Sequence, residues 1–320
     1  MRGLLLSLVA VLDALGAPLT FLAAHWLRLL RRIGVQRLPV SKRVLFGAGV
    51  FPVRDHYYEP LFHPRHLRLP LDWPRVLPGL DLEVPRQLAL LETFRYGDEL
   101  LAFPLEPRAA GEFGFLNRSF GPGDAEILYA VLRHFRPRRM IEIGSGNSTL
   151  MAAAALRRNG VESPEHACEH VCVEPYEMPW LERAGVKVLR RRVEDVGLDM
   201  FRALEADDVL FIDSSHVIRP QSDVLTEFLA ILPSLRPGVI VHVHDIYTPR
   251  DYPDRRLRAE VRFWNEQYLL EAFLSGNRDF RLLLTLNHLW HDHRDRLAAA
   301  CPVLAKLPEH EPAAFWMMRG

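Results

Sequence analysis

Acidic residues and histidines stand at the ends of two apolar runs in the second half of the chain. Asp213 and His216 close one run. His242, His244 and Asp245 close the next. Neutral imidazole titrates near working pH, so His216 or His244 is a candidate general base beside the carboxylate of Asp213. The alternative is that these histidines only hydrogen-bond loop backbone. The candidate catalytic residues are therefore Asp213, His216 and His244.

From residue 120 to residue 320, short apolar runs alternate with helical patterns. This alternation predicts an α/β fold that is Rossmann-like and doubly wound, with a mainly parallel seven-stranded sheet and helices on both faces. Ligands of such sheets lie outside the carboxyl ends of the strands, where the polar residues above are found. The predicted strands are Met140–Ile143, His170–Glu174, Val186–Arg191, Val209–Asp213, Val239–His244, Phe280–Leu286 and Ala313–Met318.

A glycine turn joins the first of these strands to an alanine-rich helix. Gly144 and Gly146 allow the backbone to approach a ligand that faces the helix N-terminus. A dinucleotide fingerprint has a third glycine where Thr149 stands here, and its acidic residue follows after roughly 20 residues. Glu174 lies 30 residues beyond Gly144. Both departures disfavour a nicotinamide-dependent oxidoreductase, which stays as an alternative.

Four motifs resemble those of class I S-adenosylmethionine-dependent methyltransferases, in particular small-molecule O-methyltransferases. The resemblance extends over about Phe120 to Arg319. It implies methyl transfer to the oxygen of a small-molecule, glycan or lipid-linked acceptor. The motifs are Phe120-Gly-Pro-Gly-Asp-Ala-Glu126, Ile141-Glu-Ile-Gly-Ser-Gly-Asn-Ser-Thr149, Val173-Glu-Pro175 and Leu210-Phe-Ile-Asp-Ser-Ser-His216.

The resemblance also implies which residues bind S-adenosylmethionine. The methionine carboxylate needs backbone N–H donors, and the positive sulfur tolerates nearby carboxylates. Gly144→Val is expected to abolish binding while leaving the fold, because a β-carbon there would meet the ligand. The implied contacts are Glu142, Gly144, Ser145 and Gly146 to the methionine part, Glu174 to the ribose, and Glu194 or Asp195 to the adenine.

A divalent cation such as magnesium is implied by the same resemblance. Carboxylates at the positions of Asp213 and Asp245 hold such an ion in O-methyltransferases of this kind, where it polarises the acceptor oxygen. Ile246 stands where a further oxygen ligand is usual. A metal at Asp213 and Asp245 and a general base at His216 or His244 are therefore alternatives.

Alternating histidines and cysteines offer a second metal-like pattern. His166, Cys168, His170 and Cys172 lie on one predicted strand region. Residues on the same face of a strand are about 6.6 to 6.8 Å apart, so at most two neighbours share one ion. We interpret the pattern as a strand that enters the core. With Cys301 there are three cysteines, too few for a disulfide framework, which indicates a reducing compartment and core thiols.

The first 35 residues are nearly continuously apolar and end in an arginine cluster. Asp13 and Pro18 count against a transmembrane helix. An apolar pattern that runs on to Trp26 counts against a cleaved signal peptide. The interpretation that remains is an amphipathic helix that lies on a membrane or packs on the domain, with its arginines suited to anionic headgroups. This predicts a cytoplasmic location, peripheral on the inner face of the membrane where the helix binds lipid.

Proline and aromatic residues dominate the segment that follows, which predicts an arm that encloses a pocket. The predicted parts of the chain are residues 1–35, 36–119 and 120–320. Forty basic and forty acidic residues cancel. No nucleic-acid module is expected, because basic residues are dispersed. A non-catalytic, membrane-associated domain with a methyltransferase fold is the remaining alternative, and the oligomeric state is left open.

Overall fold

The computed structural model describes residues 2–109, 111–176 and 178–320, and within them every side chain except those of residues 2–6 and 166. The chain divides into two compact units, residues 1–68 and residues 69–320. The division of the sequence at residues 35 and 119 stays a prediction.

The first unit begins with the predicted N-terminal helix. Helix α1 (Arg2–Ile33) continues through Pro18, and α2 (Pro39–Gly47) follows it. Side chains are exposed almost all around α1; Leu15, for example, is 75% exposed. The segment Ser7–Ile33 is long and apolar enough to cross a membrane, a criterion that a signal sequence near an N-terminus also meets. A long apolar helix whose side chains are mostly exposed differs from the helix of a soluble core.

The second unit is built on one seven-stranded sheet, as predicted. Its order is β3-β2-β1-β4-β5-β7-β6. The first five strands in that order are parallel, and β7 pairs antiparallel with both β5 and β6. Strand order reverses direction between β1 and β4, which opens a crevice at their carboxyl ends. The strands are β1 (Arg139–Ile143), β2 (Glu169–Val173), β3 (Lys187–Leu189), β4 (Val209–Ile212), β5 (Ile240–Val243), β6 (Phe280–Thr285) and β7 (Phe315–Arg319).

Apolar side chains cover both faces of the sheet, because successive strand residues point to opposite sides. Met140 packs in the core on one face, while Ile141 and Ile143 pack in the core on the other. The helices of the first face are α3 (Val84–Leu91), α4 (Gly97–Leu101), α5 (Asp124–Phe135), α6 (Asn147–Glu162), α11 (Leu286–Asp292) and α12 (Arg294–Ala300). Those of the second are α7 (Leu198–Arg202), α8 (Asp223–Thr226), α9 (Leu232–Ser234) and α10 (Glu266–Leu274).

Two departures from the predicted elements have local causes. A π-helical turn, Glu227–Ile231, separates α8 from α9. Pro233 has no N–H for the carbonyl of Leu229, and its ring crowds that carbonyl, so the preceding turn widens. In the second departure, Leu286 begins α11 instead of ending β6. The helices α11 and α12 are seven residues each, too short to show a clear helical period.

Candidate functional site

Gly144 brings the loop after β1 against the end of β4. Its φ is +76°, a conformation that favours glycine, and a β-carbon there would lie 1.9 Å from the carbonyl oxygen of Asp213. The expectation that a β-carbon would meet the cofactor is therefore corrected: it would meet the protein's own backbone first. Gly144→Val must displace the loop itself, so the substitution does not leave the local fold intact.

Glu142 holds the start of α6 from beneath. Its carboxylate accepts hydrogen bonds from Ser148 Oγ at 2.7 Å and from Thr149 Oγ1 at 2.8 Å. Thr149 Oγ1 in turn accepts the Gly146 N–H at 3.0 Å. The residue in the position of the missing third glycine thus caps the helix, and Glu142 is completely buried.

A cavity of about 540 Å³ opens above this loop, at the crevice between β1 and β4. Glu174 lies at its edge, where its carboxylate accepts the N–H groups of Ser145 at 3.1 Å and Tyr176 at 2.9 Å. Among the described residues, Glu142 and Asp195 are not part of the cavity wall. The predicted cofactor residues that do line it are Gly144, Ser145, Gly146, Glu174 and Glu194.

His170 and Cys172 meet Glu142 in what we name the closed cluster. His170 Nε2 lies 3.1 Å from Glu142 Oε2, and Cys172 Sγ donates to the same oxygen at 3.3 Å. These three donor atoms lie close enough together to hold a metal ion. The Glu142 oxygens, however, already accept the Ser148 and Thr149 hydroxyls. The side chain of His166, which belongs to the same pattern, lies outside the described residues.

Asp213, His216, His244 and Asp245 form a second group, which we name the strand-end ring. His216 Nε2 lies 3.3 Å from Asp213 Oδ1 and 3.7 Å from Asp245 Oδ2. His244 Nδ1 lies 3.6 and 3.9 Å from the same two atoms. Each imidazole therefore faces both carboxylates. The ends of β4 and β5, which are neighbours in the sheet, bring the predicted catalytic and metal-ligating residues together.

Two members of the strand-end ring have an unusual backbone conformation. His216 has a φ of +59° and Asp245 a φ of +55°. Left-handed conformations are uncommon for residues other than glycine and persist where surrounding structure holds them. His216 lies four residues beyond β4 and Asp245 two residues beyond β5, and the two side chains face each other. Six other described non-glycine residues share this conformation, so it supports a functional site here only together with the geometry of the ring.

Buried carboxylates lie beside the outer nitrogens of both histidines. Glu266 Oε2 lies at hydrogen-bond distance, 2.8 Å, from His216 Nδ1, whereas Asp124 Oδ2 lies 3.5 Å from His244 Nε2, a nitrogen with no hydrogen-bond partner among the described residues. Glu266 is completely buried. Fifty residues separate it from His216, so no spacing pattern could have revealed the pair.

Charge within the ring favours protonated histidines when only protein groups are present. Burial lowers the pKa of His216, but hydrogen bonds to Asp213 and Glu266 outweigh it and raise that pKa to about 10. Burial also lowers the pKa of His244. The charge of Asp213 outweighs burial and raises that pKa well above its ordinary value. A protonated imidazole cannot accept a proton. His242 differs: burial lowers its pKa, and its ring stacks on Phe211 in the core.

A second cavity of about 300 Å³ lies on the other side of the ring. His244 and Asp245 line it, whereas Asp213 lines the first cavity, and Ser119 borders both. The ring therefore stands between two spaces that open at the same edge of the sheet. Charged or hydroxyl-bearing side chains dominate the second space; they include Arg118, Asp124, Tyr247, Arg255, Arg256, Glu309 and Glu311.

The chain is similar to several known proteins. The family model described as a methyltransferase domain matches residues 141–246, from β1 to the residue after Asp245. An uncharacterized protein of Archaeoglobus fulgidus is 27% identical over 186 residues, which cover 54% of this chain and 80% of that protein. The crystal structure of an O-methyltransferase from Bacillus cereus in complex with SAH is 15% identical, with a TM-score of 0.36, and the match covers 77% of this chain and 94% of that one.

The matched segment contains both the glycine loop and the strand-end ring. It lies within a doubly wound sheet whose crevice holds a cavity at that loop. Residues 141–246 therefore match a methyltransferase domain, which agrees with the resemblance seen in the sequence motifs.

Proposed function

We propose that the protein transfers a methyl group from S-adenosylmethionine to a hydroxyl oxygen of a small polar acceptor, such as a sugar unit of a glycan. One observation carries the proposal: the strand-end ring lies between the cavity at the glycine loop and a second, polar cavity. A donor in the first and an acceptor in the second would meet at Asp213 and His244. The polar wall of the second cavity suits hydroxyl groups better than an aromatic ring.

The first cavity provides groups for each part of the cofactor. Backbone N–H groups from Gly144 to Gly146 would hold the methionine part, and the cavity wall supplies Glu174 for the ribose and Glu194 for the adenine. Asp195 follows Glu194 in the same short turn. Its proposed role is to fix the backbone of that turn, not to contact the cofactor. The role proposed for Glu142 is to fix the glycine loop. Its hydrogen bonds go to Ser148 and Thr149 at the start of α6 and to the closed cluster, not to the cavity.

Methyl transfer is a displacement in which alignment supplies much of the rate. The carbon–sulfur bond breaks, its electron pair stays on sulfur, and a new bond forms from carbon to the acceptor oxygen. Without a bound cation, the hydroxyl proton passes to Asp245, whose carboxylate lines the acceptor cavity. Protonated His216 and His244 then stabilise the negative charge that develops on the oxygen as this proton leaves.

A divalent cation at Asp213 and Asp245 belongs to the same proposal. Both carboxylates face the same pair of histidine nitrogens, so the donor set fits an ion between them. When bound, such an ion would polarise the acceptor hydroxyl and lower its pKa.

The proposal is tested by calorimetric titration of the purified protein with S-adenosylhomocysteine, with NADH as the control. Binding of S-adenosylhomocysteine alone is expected, and binding of NADH alone would favour an oxidoreductase. S-adenosylhomocysteine release is then measured with a panel of glycosides and with catechol. Faster release with catechol than with every glycoside would overturn the proposed acceptor class.

The first unit supports a second part of the proposal, membrane contact through α1. Seven basic residues and no acidic ones stand between residues 14 and 54. A groove of about 700 Å³ beside the basic end of α1 is lined by Arg28, Arg32, Arg54 and Arg65. An exposed apolar helix that ends in an arginine-rich groove fits a bilayer with anionic headgroups on its inner face.

Vesicle flotation tests this part of the proposal. The full chain is expected to float with phosphatidylglycerol vesicles, and a chain without residues 1–35 is expected to stay behind. Flotation of both would contradict the assignment.

A further inference from the structure

We propose that His216 and His244 join Asp213 and Asp245 as ligands of one divalent transition-metal ion, so that the site selects a metal such as zinc or iron over magnesium. The inference rests on the proposed function, which places a cation at the two aspartates. It goes beyond that function in naming nitrogen ligands and the class of metal they favour.

The geometry supplies four donor atoms that face one another. The nearest nitrogen of each histidine lies 3.3 to 3.9 Å from a carboxylate oxygen of both Asp213 and Asp245. An ion bound here would draw two nitrogens and two oxygens inward, because these four atoms are not all as close to one another as the three donor atoms of the closed cluster. His216, His244 and Asp245 are less than 10% exposed, so their positions are fixed by the fold.

The outer partners of the histidines are those of metal ligands. A histidine that binds a metal usually gives its other ring nitrogen to a carboxylate, which fixes the ring and raises its basicity. Glu266 occupies this position for His216 at 2.8 Å, and Asp124 is the carboxylate nearest the corresponding nitrogen of His244, at 3.5 Å and without a hydrogen bond. Both carboxylates are buried. Hydrogen bonding to loop backbone alone would not need two buried acids behind two histidines.

Excess negative charge around the ring favours a cation further. Asp213, Asp245, Glu266 and Asp124 all face the two imidazoles at 4 Å or less, and Arg256 lies 3.6 Å from Asp245, so four carboxylates face two imidazoles and one guanidinium. Buried carboxylates without an equal positive charge are costly. Magnesium prefers oxygen ligands, whereas imidazole suits zinc, iron, copper and nickel. Two imidazoles among four ligands therefore shift the preference away from magnesium.

Cobalt(II) is the probe that tests the assignment, because its visible absorption reports the atoms bound to it. The full-length protein is stripped with a chelator and titrated with cobalt(II) in the presence of excess magnesium. We expect one cobalt per chain, with a spectrum of nitrogen and oxygen ligation and no thiolate charge-transfer band. His216→Ala and His244→Ala should each lower the affinity at least about tenfold, and Glu266→Gln should lower it by a similar or smaller factor.

Cys172→Ala is the matched control, because it removes a donor from the closed cluster and leaves the ring unchanged. Its cobalt affinity should equal that of the unchanged protein. A thiolate band that disappears in Cys172→Ala would move the metal to the closed cluster and overturn the proposal. Displacement of cobalt by equimolar magnesium would also overturn it, as would unchanged affinity in both histidine variants.

Circular dichroism and S-adenosylhomocysteine binding are measured on each stripped variant. If His216→Ala fails to fold, His216→Asn takes its place, with the same loss of affinity expected. If the unchanged protein binds S-adenosylhomocysteine but not cobalt, the metal assignment alone is overturned. If the unchanged protein does not bind S-adenosylhomocysteine, the proposed function is overturned instead.

Discussion

The closed cluster and the strand-end ring both combine buried histidine with acid, yet the structure gives them different surroundings. Glu142 in the closed cluster accepts hydrogen bonds from two hydroxyls, and its backbone continues a regular strand. In the ring, His216 and Asp245 hold left-handed conformations, and the group borders two cavities. The difference teaches that acid–histidine contact alone does not mark a reactive site. Access from a cavity and a strained backbone separate the two.

Gly144 connects the two groups, so the largest effect on cofactor affinity is expected from changing it. Gly144→Ala places a β-carbon against the Asp213 carbonyl and strains a positive φ. Affinity for S-adenosylhomocysteine should fall by about tenfold or more, since about 1.4 kcal/mol of strain is tenfold. Gly160→Ala is the control, because no atom lies within 4 Å of its new β-carbon. Equal affinity of both variants, measured by calorimetry, would show that the close approach is unimportant.

Removal of Glu142 should cost stability. Glu142→Ala leaves the Ser148 and Thr149 hydroxyls, His170 and Cys172 without their acceptor. We expect the free energy of unfolding to drop by roughly 2–4 kcal/mol in urea titrations. Glu142→Gln should lose less, because its carbonyl still accepts and its amide can donate to Ser148 Oγ. Cobalt affinity should stay unchanged in Glu142→Gln. Equal free energies of unfolding for Glu142→Ala and Glu142→Gln would show that hydrogen bonds to this side chain do not stabilise the start of α6.

The smallest effect concerns the thiol of the closed cluster. Burial, followed by the charge of Glu142, raises the pKa of Cys172, so little thiolate exists at pH 8. Cys172 should therefore resist iodoacetamide in the folded protein and react after denaturation in urea. Mass spectrometry of the alkylated peptides checks this outcome. Rapid modification in the folded state would mean that the cluster opens to solvent and is not closed.

Strand positions could be predicted because doubly covered strands must be apolar. All four residues of β4 are buried, and so are all four of β5. Neighbouring parallel strands end at one edge of the sheet, which made the meeting of Asp213, His216, His244 and Asp245 foreseeable. Their roles in binding and catalysis stay predictions.

The orientation of Glu142 and the partners of the ring could not be predicted. The direction of Glu142 follows from its register opposite Cys172, which places both side chains on the same face of the sheet. Sequence order does not contain that register. Glu266 joins His216 only through the packing of α10 against the end of β4, a tertiary contact with no local pattern. Helices α11 and α12 were missed because seven residues carry little periodicity.

The place of β7 in the sheet sets an order of events during synthesis. Residues 315–319 form the strand between β5 and β6. A ribosome that adds about 5–20 residues per second needs several seconds to pass from β5 to β7. Until then β5, which leads into His244 and Asp245, has an open edge that can pair with a strand of another nascent chain. The part of the sheet that carries the ring is thus the last to close, and it is where a chaperone would act.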